Sequence, residues 1–315
     1  MRLMRFLLAT VLMLSMMLTA EAKTPEEFAA ERNGYAALKS MLEAPRSRAD
    51  CVSTMELVMH CPFAHSELKI RGLERPSQKS EINIGSFDVN LALGIETVNF
   101  NVPFYLVEEA DDVSFYFNLD NKWKKIAVKN TAINSADELD GTFMLDLLDR
   151  AELLSDVGGQ QIVRASFDCK KIAALLDNFK ADEKVLPDKI SEQDKEKALA
   201  IAKSMNEALI KTGTLDAIFN IDAETKRPLM VEFDATPAFR NVLGALGAVE
   251  ESKTMGLSPI LNVLASTVQV KMYAVNDFSG KFDAKEFVLP KKVLKAEDIT
   301  KDFLPKTKTE STKTR

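Results

Sequence analysis

The most constraining feature of this sequence is a strict two-residue alternation in residues 97–106. Apolar side chains stand there at every second position, separated by mostly polar residues, and this apolar set is Val98, Phe100, Val102, Phe104 and Leu106. Because successive side chains of a β-strand point to opposite faces, the pattern predicts a strand with one apolar face. Antiparallel sheets commonly bury one face, so a second layer is expected on the apolar side.

The same period recurs on both sides of this run. Residues 50–63 and 113–119 alternate, and the turn pair Asp120-Asn121 separates the second run from a return strand that carries Trp123. Within residues 82–93 the apolar positions change parity at Gly85, which predicts a bulge or sharp bend in a long strand. Further strands are predicted at residues 160–167, 215–221, 229–233 and 264–275.

Helical patterns separate the two groups of strands. A capping box at residues 135–138 opens a predicted helix whose apolar stripe continues through Leu147, Ala151 and Leu154. Asp168 is the predicted N-cap of a second helix, and an Ala/Lys/Glu-rich helix is predicted over residues 194–211. The order of strands, helices and strands predicts an α+β fold, a curved antiparallel sheet of half-barrel form whose concave face is covered by helices.

The N-terminus carries the pattern of an export signal. Arg2 and Arg5 precede an apolar run, Phe6 to Ala20, that ends in a small-x-small motif. A membrane-spanning helix usually needs about 20 apolar residues, which is more than this run supplies. We therefore expect a signal peptide cleaved after Ala22 and a periplasmic or other extracytoplasmic protein, with an uncleaved membrane anchor as the alternative.

These boundaries predict the domain organisation. After the signal peptide at residues 1–22, an N-terminal helix at 23–48 precedes an α+β domain at 49–303, and a disordered Lys/Thr-rich tail occupies 304–315. The tail fits either a solvated end or a weak peripheral contact with an anionic membrane surface. The formal net charge of −6 argues against nucleic acid as a partner.

Three segments carry a family resemblance. The first, residues 115–125, places Trp123 among lysines after a tight turn; the second spans residues 220–231; the third spans 268–278, with Leu289-Pro290-Lys291 near the end. Together they resemble the exported bacterial half-barrel proteins of the LolA, LolB and RseB superfamily, over residues 50–295. The chain departs from that pattern in having no lipobox cysteine and a charged insertion at residues 181–194.

The resemblance implies a binding protein and not an enzyme, because members with known roles hold acyl chains or lipidated peptides between sheet and helices. It implies a lipid, an acyl chain or a lipidated protein as the partner. The alternative is an envelope protein-interaction or sensor module of RseB type without a small-molecule ligand. The residues predicted to line the cavity, or else to fill a core, are Phe100, Val102, Phe104, Leu106, Phe115, Phe117, Phe219, Ile221, Val231, Phe233 and Met272.

No catalytic residue, metal site or cofactor is predicted from the sequence. His60, Cys61 and His65 form the only cluster of common ligand types, but the two histidines of one continuous strand would face opposite sides. A shared metal ion would therefore require Pro62 to break the strand.

The three cysteines are too few for a disulfide scaffold. Cys51 and Cys61 stand at opposite ends of one predicted strand, about 33 Å apart, which is far beyond the reach of a disulfide. Either a disulfide involves Cys169 or all three thiols are free.

Overall fold

A computed structural model describes residues 25–44, 50–74, 81–93, 96–109, 112–129, 143–180 and 192–300. The predicted signal peptide at residues 1–22, the capping box at 135–138 and the tail at 304–315 lie outside the described residues. The described strands are β1 (Cys51–Cys61), β2 (Ala64–Glu74), β3 (Glu81–Leu93), β4 (Glu96–Glu108), β5 (Asp112–Leu119), β6 (Lys122–Lys129), β7 (Leu148–Val157), β8 (Gln160–Asp168), β9 (Thr214–Asp222), β10 (Pro228–Asp234), β11 (Gln269–Asp277) and β12 (Glu297–Asp298).

Helices flank and separate these strands. The described helices are α1 (Pro25–Glu43), α2 (Phe143–Asp146), α3 (Cys169–Lys180), α4 (Glu192–Thr212), α5 (Thr236–Ala248), α6 (Glu250–Thr254) and α7 (Ser258–Thr267), and a 3-10 turn spans Ala284–Phe287. The Gly/Ala-rich residues 238–248 belong to α5.

The strands form one open 12-stranded sheet in the order β12-β6-β5-β4-β3-β2-β1-β11-β10-β9-β8-β7. Neighbouring strands are antiparallel except for β12 and β6, which are parallel. Pairing of β1 with β11 joins the N-terminal strands to the later ones. The predicted α+β fold, with a large antiparallel sheet of half-barrel type, is confirmed.

One face of the sheet, here called the inner face, carries the main hydrophobic core. Its buried side chains include Met55, Phe167 and Phe233, which are fully shielded from solvent. Helix α1 packs on β7 and β8 and contributes Leu38 to this core, while α5 packs on β11 and against α4 and α7. The helices with extensive contacts on the sheet therefore lie over its β7–β11 half.

The opposite, outer face is covered over the N-terminal strands by residues 282–300. Phe287 packs with Val52 and Leu73, and Val293 packs with Val107 and Tyr116. At the end of this segment β12 extends the sheet beside β6, where the Ile299 N–H donates to the Lys125 carbonyl oxygen at 2.9 Å. The two halves of the sheet are thus covered on different faces.

The predicted helix through residues 139–154 is wrong beyond α2, because residues 148–157 form strand β7. The pairing of β7 with β8 is shifted between Leu148 and Arg150 and again between Leu153 and Ser155. An inserted residue changes which side chains share a face, so Leu148 and Ala151 both face the core although they are three residues apart. This spacing imitates the stripe of an amphipathic helix.

The bulge predicted at Gly85 is also wrong. Strand β3 pairs without interruption with β2 and with β4 through this residue. The parity of the apolar positions changes because Ile82 and Ile84 point to the outer face, where they pack with residues of the C-terminal segment. Phe87, in contrast, faces inward.

Two further strand predictions need correction. The strand predicted over residues 50–63 ends at Cys61, and a turn at Pro62-Phe63 leads into β2, which the alternation did not predict as a separate strand. The strand predicted over 264–275 begins at Gln269, because residues 258–267 form α7. Leu264 and its apolar neighbours belong to that helix.

All three cysteines are buried and none of them forms a disulfide, which is the second of the two predicted alternatives. Burial raises the pKa of the Cys169 thiol, and the neighbouring Asp168 carboxyl group raises it further. Since the thiolate is the reactive form, the Cys169 thiol should react slowly with thiol reagents, because it is buried and because its raised pKa keeps it protonated.

We expect Cys51, Cys61 and Cys169 to be nearly inert to an aromatic disulfide reagent in the native protein and to react fully in urea. The measurement is a thiol titration of unreduced protein with and without denaturant. Fewer than three reactive thiols in urea would show that a disulfide forms, and fast reaction without urea would contradict the burial.

Candidate binding groove

The inner face over β2–β5 contains an apolar pocket, called the groove below. Its volume is about 330 Å³, which is within the usual range for small-molecule sites. The lining consists entirely of aliphatic and aromatic side chains, namely Leu68, Ile70, Phe87, Val102, Phe104, Leu106, Phe115 and Phe117. It adjoins the main core, against which several of these side chains pack.

The sheet register brings these side chains together. Leu68 pairs with Phe87, and Phe87 pairs with Val102, so three neighbouring strands form one row. A second row follows from the pairing of Leu106 with Phe115. Because paired residues on one face are in direct contact, the alternation of each strand is converted into a continuous apolar surface.

Aromatic rings form one wall of the groove. The ring centroids of Phe104 and Phe115 lie 5.3 Å apart, and those of Phe115 and Phe117 lie 5.4 Å apart with the rings nearly parallel. These separations are typical of favourable aromatic pairs. The three rings therefore support one another and give the wall a defined shape.

Gly85 sets the position of this wall. It pairs with Phe104, and a Cβ atom at this glycine would lie 2.1 Å from Cζ of the Phe104 ring. Phe104 therefore lies across the β3 backbone, in space that only a glycine leaves open. The sequence pattern predicted a bulge or bend at this glycine, and its close contact with the Phe104 ring was not predicted.

Exposure divides the groove into a buried end and an open end. Phe104 and Leu106 are 5% and 4% exposed, whereas Phe87 is 43% exposed. Beyond Phe87, on the same face of β4, Phe100 is 54% exposed. An elongated apolar ligand would thus enter from the side of Phe87 and Phe100.

The residues predicted to line a cavity fall into two groups. Val102, Phe104, Leu106, Phe115 and Phe117 line the groove, and Phe100 lies beside its open end. The others are buried in the main core under the helices, namely Phe219, Ile221, Val231, Phe233 and Met272. Whether any of these residues contacts a ligand stays a prediction.

Three lining residues were not among those predicted. Leu68 and Ile70 belong to β2, which follows the turn at residues 62–63 and was not predicted as a separate strand. Phe87 belongs to β3. The two-residue spacing of Leu68 and Ile70 was available in the sequence as an indication of this strand.

Buried polar residues accompany the apolar lining at the buried end. Asn83 on β3 is 4% exposed and Glu108 on β4 is 7% exposed. Asn83 pairs with Leu106, and Glu108 is two residues further along β4 on the same face. Two polar side chains therefore share the inner face with the groove.

His60 and His65 are brought together, because the turn at Pro62 breaks the strand as a shared metal would require. The two residues are cross-strand partners, and their ring centroids lie 5.9 Å apart. The described residues contain no group of three or more His, Cys, Asp or Glu side chains arranged to hold a metal ion. The pair therefore supplies two ligand side chains and no complete protein site in that part of the chain.

The architecture is that of an α+β protein in which one half of an open antiparallel sheet is covered by helices while the other presents an apolar groove. No family model matches the chain, and no curated protein matches it either. No helix in the described ranges combines the length and apolar character needed to cross a membrane.

The solved structures that are similar to this chain include the following three. LprF from Mycobacterium bovis has 10% identity and a TM-score of 0.33, with 86% of this chain and 99% of that chain covered. A DUF1329 family protein from Desulfovibrio piger has 9% identity and a TM-score of 0.25, covering 82% and 97%. A domain from Vibrio parahaemolyticus, described as an outer membrane lipoprotein-sorting protein, has 10% identity and a TM-score of 0.23, covering 81% and 96%.

The last of these descriptions names lipoprotein sorting. The class of this protein rests on its own strand order and on the groove.

Proposed function

We propose that this chain is an exported, non-enzymatic binding protein that holds the acyl chain of a lipid or lipidated partner in the groove. The observation that carries the proposal is the wholly apolar lining of a groove that is buried at one end and open at the other. Export is supported by the charged and apolar pattern of residues 1–22.

The energetics of such a site are favourable. Each methylene group removed from water contributes about 0.8 kcal/mol, so burying about ten of them contributes about 8 kcal/mol. Before the cost of ordering the chain is subtracted, this corresponds to a dissociation constant of about 1 μM. An apolar groove of this kind can therefore retain an acyl chain without any charged contact.

The test is lipid extraction and mass spectrometry on the mature protein, purified from its native compartment without detergent. We expect an acyl lipid at close to one molecule per protein chain. If no lipid co-purifies and added fatty acids or acylglycerols leave the melting temperature unchanged, the proposal fails. Capture of an envelope protein by the same face would then be the better explanation.

We expect Val102→Trp to weaken acyl-chain binding at least tenfold, because an indole at this position would occupy the middle of the groove. The measurement is displacement of a fluorescent fatty-acid analogue from delipidated protein. Asn99→Trp is the matched control, since Asn99 is exposed on the same strand and faces the other side. Equal binding by the two variants would contradict the assignment of the groove as the site.

A further inference from the structure

Asn83 is a buried polar residue with an unused hydrogen-bond donor. The residue is 4% exposed, and no acceptor among the described residues bonds to its Nδ2 amide group. Buried amide groups in folded proteins nearly always find a partner, because water can no longer satisfy them. Nδ2 of Asn83 is an exception to this rule, and its cross-strand partner Leu106 lines the apolar groove.

Ser53, a buried polar residue near Asn83, has a partner for its hydrogen-bond donor. Ser53 pairs with Gly72, which in turn pairs with Asn83, so the three lie in one row across β1, β2 and β3. The Ser53 hydroxyl donates to Oδ1 of Asn276 at 2.7 Å. The unused donor is thus specific to Asn83 and is not shared by the other buried polar group in this row.

Gly72 makes room for the Asn83 amide. A Cβ atom at Gly72 would lie 2.0 Å from Oδ1 of Asn83. Glycine within a strand weakens it and commonly marks a close approach by another group. The chain therefore tolerates an unfavourable residue in β2 at the position where the Asn83 side chain lies.

The amide is placed beside the buried end of the groove. Asn83 pairs directly with Leu106, which lines the groove, and Gly85, the next inward-facing residue of β3, lies under the Phe104 ring. A ligand that runs along the groove from Phe87 would bring its far end close to Asn83.

Glu108 restricts which acceptor can bind there. It is buried on the same face as Asn83 and lies two residues beyond Leu106, the cross-strand partner of Asn83. Residues in such diagonal positions on two antiparallel strands are about 7–8 Å apart. Two carboxyl groups that share a site disfavour each other's charge, so a free fatty acid would meet an unfavourable neighbour. The carbonyl group of an ester or amide is an acceptor and brings no charge.

We propose that Nδ2 of Asn83 donates a hydrogen bond to the carbonyl oxygen of a neutral acyl ester or amide bound in the groove. The acyl chain then runs from this carbonyl group towards the open end at Phe87 and Phe100. This inference rests on the proposed acyl-binding function and adds to it the chemical class of the ligand and its orientation.

The test compares two ligands with the same acyl chain, monooleoylglycerol and oleate, in titrations of delipidated protein below the aggregation concentration of each ligand. We expect wild-type protein to bind monooleoylglycerol at least tenfold more tightly than oleate. Asn83→Leu should weaken monooleoylglycerol binding about tenfold and leave oleate binding nearly unchanged. Glu108→Gln should strengthen oleate binding at least fivefold.

Asn90→Leu is the matched control, because Asn90 is exposed on the same strand and faces the outer side. It should change neither affinity. Melting temperatures of all variants verify that they are folded, and if Asn83→Leu does not fold, the wild-type preference and Glu108→Gln carry the test.

The outcomes separate the two levels of the proposal. If wild-type protein binds neither ligand, the proposed function itself fails. If it binds both equally well, or if Asn83→Leu weakens both ligands to the same extent, acyl binding stands and the assignment of Asn83 to a neutral carbonyl group is overturned.

Discussion

Replacing Gly34 with alanine is expected to destabilise the protein by about 3 kcal/mol or more, because the added methyl group has no space. A Cβ atom at Gly34 would lie 2.6 Å from three backbone atoms of β7, in residues Glu152 and Leu153. Backbone atoms of a paired strand cannot rotate away as the end of a side chain can. Helix α1 would have to move off the sheet and withdraw Leu38 from the core.

The control for this substitution is Gly244→Ala in helix α5. A Cβ atom there would meet only Ala265 Cβ, at an ordinary contact distance of 3.8 Å. Alanine is favoured over glycine in a helix by about 0.5–1 kcal/mol, so this variant should be more stable than wild type. Urea denaturation of the two variants measures both effects, and a stabilising effect of Gly34→Ala would contradict the close packing of α1 on β7.

The second large effect is expected for Phe233→Ala, which should lower the free energy of unfolding by about 3–5 kcal/mol. Phe233 is fully buried on β10, between its cross-strand partners Ala217 and Met272. Removing the ring would leave a cavity that neighbouring side chains fill only in part. Because Phe233 lies in the main core and does not line the groove, the folded fraction should still bind acyl chains as wild type does.

Phe100→Ala provides the matched comparison, since both phenylalanines were predicted from sequence to line the same cavity. Phe100 is 54% exposed, so its removal should change stability by no more than about 0.5 kcal/mol. Urea denaturation and acyl-chain titration of both variants measure the two properties separately. Similar losses of stability in the two variants would contradict the division between core and groove.

This division is the part of the site that the sequence could not predict. Alternation identified inward-facing residues on β4 and β5 and equally on β9 and β10, because every such strand turns one apolar face to the interior. Which of these faces is buried by helices depends on where α1 and α5 pack. The placement of these helices is a property of the tertiary structure, so the residue alternation within a single strand cannot predict it.

The strands themselves were predictable where their pairing is regular. Strands β4 and β5 pair without a shift, so their inward side chains keep the two-residue spacing. Strand β7 was missed because two shifts in its pairing with β8 change that spacing. The roles of Gly85 and Asn83 were missed for a related reason, since both follow from the residue opposite on a neighbouring strand and not from their own sequence context.

The pairing of β1 with β11 also has a consequence for the order of folding. The hydrogen bond between Ser53 and Asn276 spans 223 residues, so the centre of the sheet forms only after most of the chain is present. Contacts between residues so distant in sequence are slow to form, because the entropy of closing the loop is lost before they contribute. Under the proposed export, late folding would keep the N-terminal part of the chain unfolded while the C-terminal part is still being synthesised. The unfolded part could then pass through a translocation channel.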